Sequence, residues 1–406
     1  MEICGTPCYN PIYQVRKGDT PVEQPKRKWK KLTQPLCFLL VMGLIFGYIG
    51  GKMGMVNMLS TMMNTAYQLL LDTVFYIMAV AVIAGALSAL LSEFGVVTLI
   101  NKILSPFMKP LYGLPGAASL GIMTTYLSDN PAILALAHDE GFRKYFKKYQ
   151  LPALTNIGTA FGMGVIVTTS MLGIRSPSGE SFLLAALIGN VGAVVGSIVS
   201  SRLMLRKTAK IYGKDAPCDP PEVQVKKESE TSGNDSLGMR VINALMEGGK
   251  SGVTLGLDII PGVLIICTMV LMLTNGASAN GTFTGAAYEG VSLLPWIGDK
   301  LAFILKPLFG FSSAEGIAVP ITALGSAGAA IGLVPRLVGS GLAGARDVAV
   351  FTAMCMCWSG YLSTHVAMMD NLKCSKLTGH AIVSHTIGGL CAGMAANWLY
   401  RLIMLL

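Results

Sequence analysis

The chain has 406 residues, of which 52% are hydrophobic and only 13% are charged. A soluble domain needs more charge than this to cover its surface, so the composition excludes a water-soluble globular protein. Long apolar stretches predict membrane-spanning helices, because a chain in lipid must satisfy its backbone hydrogen bonds internally. The short alternating segments that are typical of a membrane β-barrel are absent from the sequence. The composition therefore predicts an all-α polytopic membrane protein.

The formal net charge of +9 does not indicate nucleic-acid binding. The basic residues cluster in a few loops beside apolar segments, which is the distribution that the positive-inside rule produces. The nine cysteines are scattered without a C-x-x-C pair, so we expect free thiols and no disulfide framework. No cofactor is predicted, and the expected partners are the lipid bilayer, a small-molecule solute and a coupling ion. The composition leaves a homo-oligomer open.

The N-terminal region predicts a basic tail followed by one extra span. Residues 1–35 are polar, and five Lys or Arg residues lie within 26–31, directly before the apolar run 36–52. Those charges predict a disordered cytoplasmic tail and a cytoplasmic N-terminus. Without a cleavable signal peptide, the first span is its own insertion signal. We expect a multi-pass protein of the inner (cytoplasmic) membrane.

Two regions of the chain are apolar but contain helix breakers. The first, 113–137, follows an amphipathic stretch over 98–112 and is interrupted at 128–131 by Ser-Asp-Asn-Pro. The second, 300–334, contains Lys306-Pro307 and Pro320. Proline cannot donate a backbone hydrogen bond and disfavours helix in the residue before it. Both regions predict helical hairpins or broken helix pairs that are buried in protein or line a wet cavity.

The remaining segments predict ordinary spans and loops. Residues 53–71 are amphipathic and rich in methionine, which predicts a helix along the membrane interface. Residues 204–237 predict a disordered cytoplasmic linker, and 275–290, which lack Lys and Arg, predict an outer loop. Spans are predicted at 72–92, 151–173, 181–203, 255–274, 347–369 and 379–403.

The two halves of the sequence, 53–203 and 238–406, predict an internal repeat. Residues 109–114 read Lys-Pro-Leu-Tyr-Gly-Leu, and 306–311 read Lys-Pro-Leu-Phe-Gly-Phe. Further matches in the same order are Leu71-Asp72 with Leu257-Asp258, Ile188-Gly189 with Ile387-Gly388, and Arg202-Leu203 with Arg401-Leu402. The positive-inside rule orients the matched spans oppositely. Inverted repeats with discontinuous helices are typical of transporters whose site lies between the halves.

The stretch 110–116, the Ser/Thr-rich run that ends at 128–131, and the second copy over 306–330 resemble the nucleoside-recognition, or Gate, family of membrane proteins. That family is related to concentrative nucleoside transporters, to the membrane domains of ferrous-iron transporters and to spore-maturation proteins. The resemblance implies two hairpins and two unwound helices around a central polar site. It does not imply a particular substrate. The GTPase motif G-x-x-x-x-G-K-[ST] of the iron transporters does not occur in the chain.

The best candidates for solute or ion binding lie at the first break. Ser128, Asp129 and Asn130 place a carboxylate and an amide where backbone groups are freed, and both could coordinate a cation or a polar solute. The alternative is that Asp129 only caps a helix beginning at Pro131.

Further candidates lie in the later segments, each with a structural alternative. Hydroxyl groups of the broken segments could bind a solute or simply pair between helices, Glu315 could bind or merely complement a helix dipole, and His365 could relay a proton or be a hydrogen-bonded core residue. These candidates are Thr124, Thr125, Asn156, Ser312, Ser313, Glu315, Thr322, Ser326 and His365.

The sequence predicts a secondary transporter of a small polar solute, nucleoside-like or another organic molecule, coupled to H⁺ or Na⁺. One alternative is a non-transporting scaffold or regulator that resembles spore-maturation proteins. Another is a divalent metal transporter, although Cys355, Cys357 and His365 do not share one helical face, so no metal site is assigned. No catalytic motif occurs, which favours a protein that is not an enzyme.

Overall fold

The computed structural model describes residues 26–130, 132–138, 140–218, 236–278 and 280–405. Throughout these ranges the regular secondary structure is helical, apart from one isolated bridge between Lys147 and Pro217. Among the described residues, five helices are long and apolar enough to cross a membrane, or six if the bent pair 302–309 and 314–323 forms one span. The predicted all-α polytopic membrane fold is confirmed.

The described chain divides into two compact units between Lys52 and Met53. The first contains helix α1 (Lys26–Met53) as far as Lys52, and the part of α1 from residue 33 onward is a candidate span. The predicted disordered tail lies outside the described residues as far as residue 25. Residues 26–35, which were also assigned to that tail, are instead helical. Lys and Arg are good helix formers, so the apolar helix extends back through them.

The second unit begins with one long helix that a π-helical turn interrupts. Helices α2 (Met55–Gln68) and α3 (Phe75–Glu93) are joined by π-helical residues Leu69–Val74 into a 39-residue candidate span. The prediction of a separate interfacial helix over 53–71 is therefore wrong. A π-helical turn absorbs an irregularity without ending the helix, so the amphipathic and apolar stretches remain continuous.

The rest of the first half contains a hairpin, a broken span and a long final helix. Its helices are α4 (Val96–Phe107), α5 (Ala118–Leu127), α6 (Ala132–His138), α7 (Glu140–Arg143), α8 (Ala153–Thr159), α9 (Gly164–Gly173) and α10 (Leu183–Tyr212). Helix α10 continues nine residues past the predicted end of its span at residue 203, into the segment that was assigned to the linker. Residues 219–235 of that linker lie outside the described residues.

The second half repeats this order of elements. Its helices are α11 (Leu237–Asp258), α12 (Thr268–Thr274), α13 (Leu293–Lys300), α14 (Ala302–Phe309), α15 (Ala318–Ala323), α16 (Ala327–Gly339), α17 (Ala345–Trp358), α18 (Tyr361–Asn371) and α19 (Thr378–Leu405). A π-helical segment, Gly262–Cys267, precedes α12, as Leu69–Val74 precedes α3. The hairpin α15–α16, the broken pair α17–α18 and the long α19 follow in the same order as their first-half equivalents. The exact repeat boundaries, 53–203 and 238–406, stay predictions.

The two Lys-Pro-Leu segments have the same structural role. Each ends at a glycine in the left-handed region, Gly113 and Gly310. In the first half Arg202 of α10 donates to the carbonyls of residues 110 and 111. In the second half Asn397 of α19 donates to the carbonyls of residues 307 and 308. In both halves, therefore, the final helix caps the carbonyls that the proline-containing helix leaves free.

The equivalent helices α10 and α19 pack against each other through glycines. A Cβ on Gly196 would lie 2.5 Å from the carbonyl oxygen of Gly388, and a Cβ on Gly388 would lie 2.7 Å from that of Gly196. Gly192 contacts Ala396, so residue numbers rise along one helix as they fall along the other. The two helices are therefore antiparallel, which agrees with the opposite orientation of the two halves.

Helices α3 and α11 show the same arrangement. Gly85 meets the backbone of Gly248, and Ala81 meets Gly252, again in antiparallel order. Small residues allow such close backbone approach, and they drive helix association in lipid, where a hydrophobic driving force is missing.

We expect Gly388→Ala to destabilise the protein, because its Cβ would meet backbone on α10. Overpacking of this kind costs about 1–3 kcal/mol, which should lower the thermal unfolding midpoint in detergent by several degrees. Gly379→Ala is the matched control, since Gly379 lies on the same helix with no atom within 4 Å of a Cβ. Equal midpoints for the two variants would contradict the close approach of α10 and α19.

Candidate functional site

Four helix interruptions come together in the second unit. Two are the hairpin tips, at 128–130 and 324–326, and two are breaks within predicted spans, at 160–163 and 359–360. The sequence predicts the first tip, at 128–131, and a broken helix pair somewhere in 300–334. The prolines named for that second break are not at the tip, since Pro307 lies inside α14 and Pro320 inside α15. The two interrupted spans, 151–173 and 347–369, match the two unwound helices that the family resemblance implies.

Asn130 connects the first hairpin to the break between α17 and α18. Its Nδ2 donates to the carbonyl oxygen of Ser359 at 2.8 Å, and the Ser359 hydroxyl donates to the carbonyl of Gly162 at 3.2 Å. Three interruptions therefore share one hydrogen-bonded cluster. The Asn130 Oδ1 is buried and has no hydrogen-bond partner among the described residues. A buried acceptor without a partner is costly, so this atom is suited to bind a donor or a cation.

Gly162 is required by this arrangement. A Cβ at this position would lie 1.3 Å from the Asn130 Oδ1. Only a glycine allows the amide of Asn130 to lie directly against the backbone of the α8–α9 break.

The second hairpin pairs with the same break in the α17–α18 span. The Gly360 N–H donates to the carbonyl of Ala323 at 2.9 Å, and the Leu362 N–H donates to that of Leu324 at 3.4 Å. Gly360 has a positive φ of 69°, and a Cβ on it would lie 2.9 Å from the Gly325 oxygen. The break at 359–360 therefore contacts both hairpin tips.

Asp129 lies beside Asn130 and is partly buried. Its Oδ1 accepts from the Asn130 N–H at 2.7 Å, and its carbonyl accepts from the Ala132 N–H at 3.0 Å. The predicted capping of a helix that begins at Pro131 lies outside the described residues, and α6 begins at Ala132. Asp258, which sequence reasoning did not select, interacts electrostatically with Asp129. Ser128 is exposed at the end of α5.

The hydroxyl candidates of the two hairpins serve their own helices. Thr124, Thr125 and Thr322 each donate to the carbonyl four residues earlier, at 2.8, 2.9 and 2.8 Å. Ser326 caps α16 by accepting from the Ala329 N–H at 3.2 Å. These bonds are local, so neither solute binding nor the alternative of interhelical pairing is needed to explain them.

Ser312, Ser313 and Glu315 lie at the base of the second hairpin, and α15 separates them from its tip. Asp347 accepts from the Ser312 N–H at 2.8 Å and from its hydroxyl at 2.5 Å. Asp347 is fully buried and also accepts from the Gly344 N–H, so it fastens the start of the hairpin to α17. The structure thus does not bring these three candidates to the Asn130 cluster.

Asn156 belongs to a buried polar chain that leads to two histidines. Its Nδ2 donates to the Ser200 hydroxyl at 2.7 Å, and Ser200 lies 2.9 Å from the His385 Nδ1. The His385 Nε2 lies 2.6 Å from the carbonyl of Cys357. Because a carbonyl only accepts, Nε2 carries the proton, and Nδ1 then accepts from Ser200. With this assigned tautomer, Asn156 donates to Ser200 and Ser200 donates to His385, so every hydrogen bond of the chain runs in the same direction.

His365 packs against His385, with ring centroids 4.6 Å apart. It is fully buried, and among the described residues its ring nitrogens form no hydrogen bond of good geometry, although the ring interacts with the Tyr361 backbone one helical turn earlier. Both interpretations of His365, a proton relay and a hydrogen-bonded core histidine, stay predictions. Within the described ranges, no three His, Cys, Asp or Glu side chains are grouped closely enough to hold a metal ion.

The comparisons with known proteins agree with this architecture. No family model matches the chain. An uncharacterized protein of Alkalihalophilus pseudofirmus is 24% identical over 291 residues, which are 69% of this chain and 58% of that relative. The chain therefore spans less than two thirds of that relative's length.

Solved structures of CNTnw, a concentrative nucleoside transporter, have a similar fold. The inward-facing, substrate-bound structure has a TM-score of 0.52 at 14% identity. The aligned region covers 94% of this chain and 87% of the chain in that structure. An outward-facing variant has a TM-score of 0.51 at 14% identity, and the aligned region covers 92% of this chain and 86% of the variant's chain. At this identity the likeness shows the fold alone, and the chain has a nucleoside-transporter-like fold.

We expect Asn130→Ala to destabilise the protein, because it leaves the buried Ser359 carbonyl without its donor. Such a loss costs about 1–3 kcal/mol, and thermal unfolding in detergent measures it. Ser128→Ala is the control, since Ser128 is an exposed neighbour at the same tip. An unchanged midpoint for Asn130→Ala would contradict the hydrogen-bonded cluster.

Proposed function

We propose that this protein is a secondary transporter that moves a small polar organic solute across the membrane with H⁺ or Na⁺. The observation that carries the proposal is the meeting of four helix interruptions at one buried polar cluster around Asn130. Discontinuous helices in equivalent positions of two opposed halves are typical of secondary transporters, whose sites lie between the repeats. The likeness to concentrative nucleoside transporters supports a nucleoside-like solute.

The cluster provides two kinds of group that a polar solute or a cation needs. The unpartnered Asn130 Oδ1 is an acceptor, and the Asp129 carboxylate beside it carries charge at the hairpin tip. Backbone groups freed at 160–163 and 359–360 lie next to them. An intramembrane carboxylate is retained only at a cost, which favours a functional role for Asp129.

The buried histidine pair offers a proton-coupling element. Asn156, Ser200 and His385 form a hydrogen-bonded chain, and the His365 ring packs against the His385 ring. A neutral imidazole without hydrogen bonds can accept a proton when a donor approaches. The position of His365 beside this chain therefore favours H⁺ over Na⁺ as the coupling ion.

We expect Asp129→Asn to abolish solute uptake while the protein still inserts and folds, because the amide keeps the shape and removes the charge. Radiolabelled uridine uptake into cells that express equal amounts of each variant measures this. Asp215→Asn is the control, since Asp215 is an exposed carboxylate in the turn after α10. Unchanged uptake by Asp129→Asn would remove this carboxylate from the mechanism.

We expect an imposed proton gradient to drive uptake into proteoliposomes, and His365→Gln to lose that drive while keeping solute exchange at equal pH on both sides. The glutamine fills a similar volume but does not accept a proton. Uptake driven only by a Na⁺ gradient, with His365→Gln unaffected, would contradict proton coupling and assign the ion to Na⁺. Absence of flux under every gradient, for any of a panel of nucleosides, amino acids and organic acids, would favour the scaffold alternative.

A further inference from the structure

The second unit contains a cavity that is lined neither by residues of the Asn130 cluster nor by any of the predicted site residues. It has a volume of about 750 Å³ and is bounded by the π-helical part of the α2–α3 helix, the end of α9, and α16. We call it the Arg336 cavity. Most of its wall is apolar, and its polar lining residues are Asp72, Thr73, Tyr76, Ser170, Arg175, Tyr288 and Arg336. Its volume is in the range of small-molecule sites.

Two arginines dominate the charge of this cavity. The Arg336 guanidinium lies 4.1 Å from the centroid of the Tyr288 ring, and Arg336 and Arg175 are both exposed residues that line the cavity. An arginine stacked on an aromatic ring has a fixed orientation but keeps its N–H groups for a carboxylate or a phosphate. With Asp72 as the third charge, the lining has a net charge of about +1 at neutral pH.

The loop that carries Tyr288 is held in place by several hydrogen bonds to α2. The Tyr288 N–H donates to the Thr65 hydroxyl at 2.9 Å, and Asn64 donates to the Gly285 carbonyl at 2.8 Å. Within the loop, the buried Glu289 carboxylate accepts from the backbone N–H groups of Thr284 and Gly285. Tyr288, and with it the stacked Arg336, is therefore positioned before any ligand binds.

Two polar groups on the wall lack partners that a ligand would supply. Ser170 is 1% exposed, and its hydroxyl has no hydrogen-bond partner among the described residues. Asp72 lies in the π-helical segment, midway along a candidate span, and it is exposed there, with no hydrogen bond from its carboxylate to the described residues. Groups of this kind are costly next to lipid unless something pairs with them.

We propose that the Arg336 cavity binds an organic anion that has a ring or an apolar body and also carries a hydrogen-bond donor. Its carboxylate or phosphate pairs with Arg336 and Arg175, its body covers the apolar wall and Tyr76, and its donor pairs with Asp72 or Ser170. The site lies at the end of the molecule that the charge distribution predicts to face outward. It goes beyond the proposed function, since binding here requires no transport.

Equilibrium binding to the full chain in a non-ionic detergent tests this proposal. The probes form two matched pairs that differ in the anionic group: N-acetyltyrosine with its neutral amide, and uridine 5′-monophosphate with uridine. We expect at least one anion to bind saturably and to exceed its neutral counterpart by about tenfold or more, with affinity falling as salt rises. No saturable binding of either anion, or equal binding within both pairs, would overturn the proposal.

Arginine variants assign the binding to this cavity. We expect Arg336→Gln and Arg175→Gln each to weaken binding of the anion about tenfold or more, and Arg206→Gln, an exposed arginine near the end of α10, to leave it unchanged. Thermal unfolding without probe checks that each variant is folded. If Arg336→Gln does not fold, Arg175→Gln alone still tests the assignment. Unchanged binding in the folded arginine variants would overturn the assignment, whatever the result of the uptake experiments.

Discussion

The hydrogen-bonding requirement of a backbone inside lipid determines the centre of this structure. Wherever a helix is interrupted at membrane depth, its freed N–H and C=O groups must find partners within the protein. Here the interruptions supply partners to one another. Asn130 pairs with Ser359, Ser359 pairs with Gly162, and Gly360 pairs with Ala323. The helix breaks therefore lie together at one place. The hydrogen bonds that stabilise them also make the interior of the protein polar there.

The opposed halves follow from close packing as much as from sequence repetition. The glycines of α10 and α19 bring two equivalent helices together in antiparallel order, and those of α3 and α11 pack two helices of opposite halves in the same way. Backbone contact of this kind tolerates little displacement, because a protein interior is close-packed and even one added carbon atom lowers its stability. The helix pairs thus form a firm frame for the hairpins.

Several features could be predicted from the sequence because their signals are local. The Ser-Asp-Asn-Pro run at 128–131 and the Lys-Pro-Leu copies mark helix ends, and apolar length marks spans. The division at 53–71 was misjudged, since a π-helical turn leaves no clear sequence signal. Ser312 was selected for its polarity, but its partner Asp347 lies 35 residues away and only the fold brings them together.

The histidine pair and the Arg336 cavity could not be predicted for the same reason. His385 lies in an apolar span with no local indication that it contacts His365. Arg175 and Arg336 fall in separate halves, and single basic residues beside spans are usually explained by topology. Tyr288 belongs to the loop between α12 and α13, which has no regular pattern. Long-range contact, not residue type, gives these groups their chemistry.

The attachment of the Tyr288 loop to α2 has a consequence for how the protein diversifies. Asn57, Asn64 and Thr65 hold that loop without lining the Arg336 cavity. Exchanges at these three positions would tilt the tyrosine ring and redirect the guanidinium stacked on it. Orthologues with different ligand preferences are therefore expected to vary in α2, at a distance from any bound molecule.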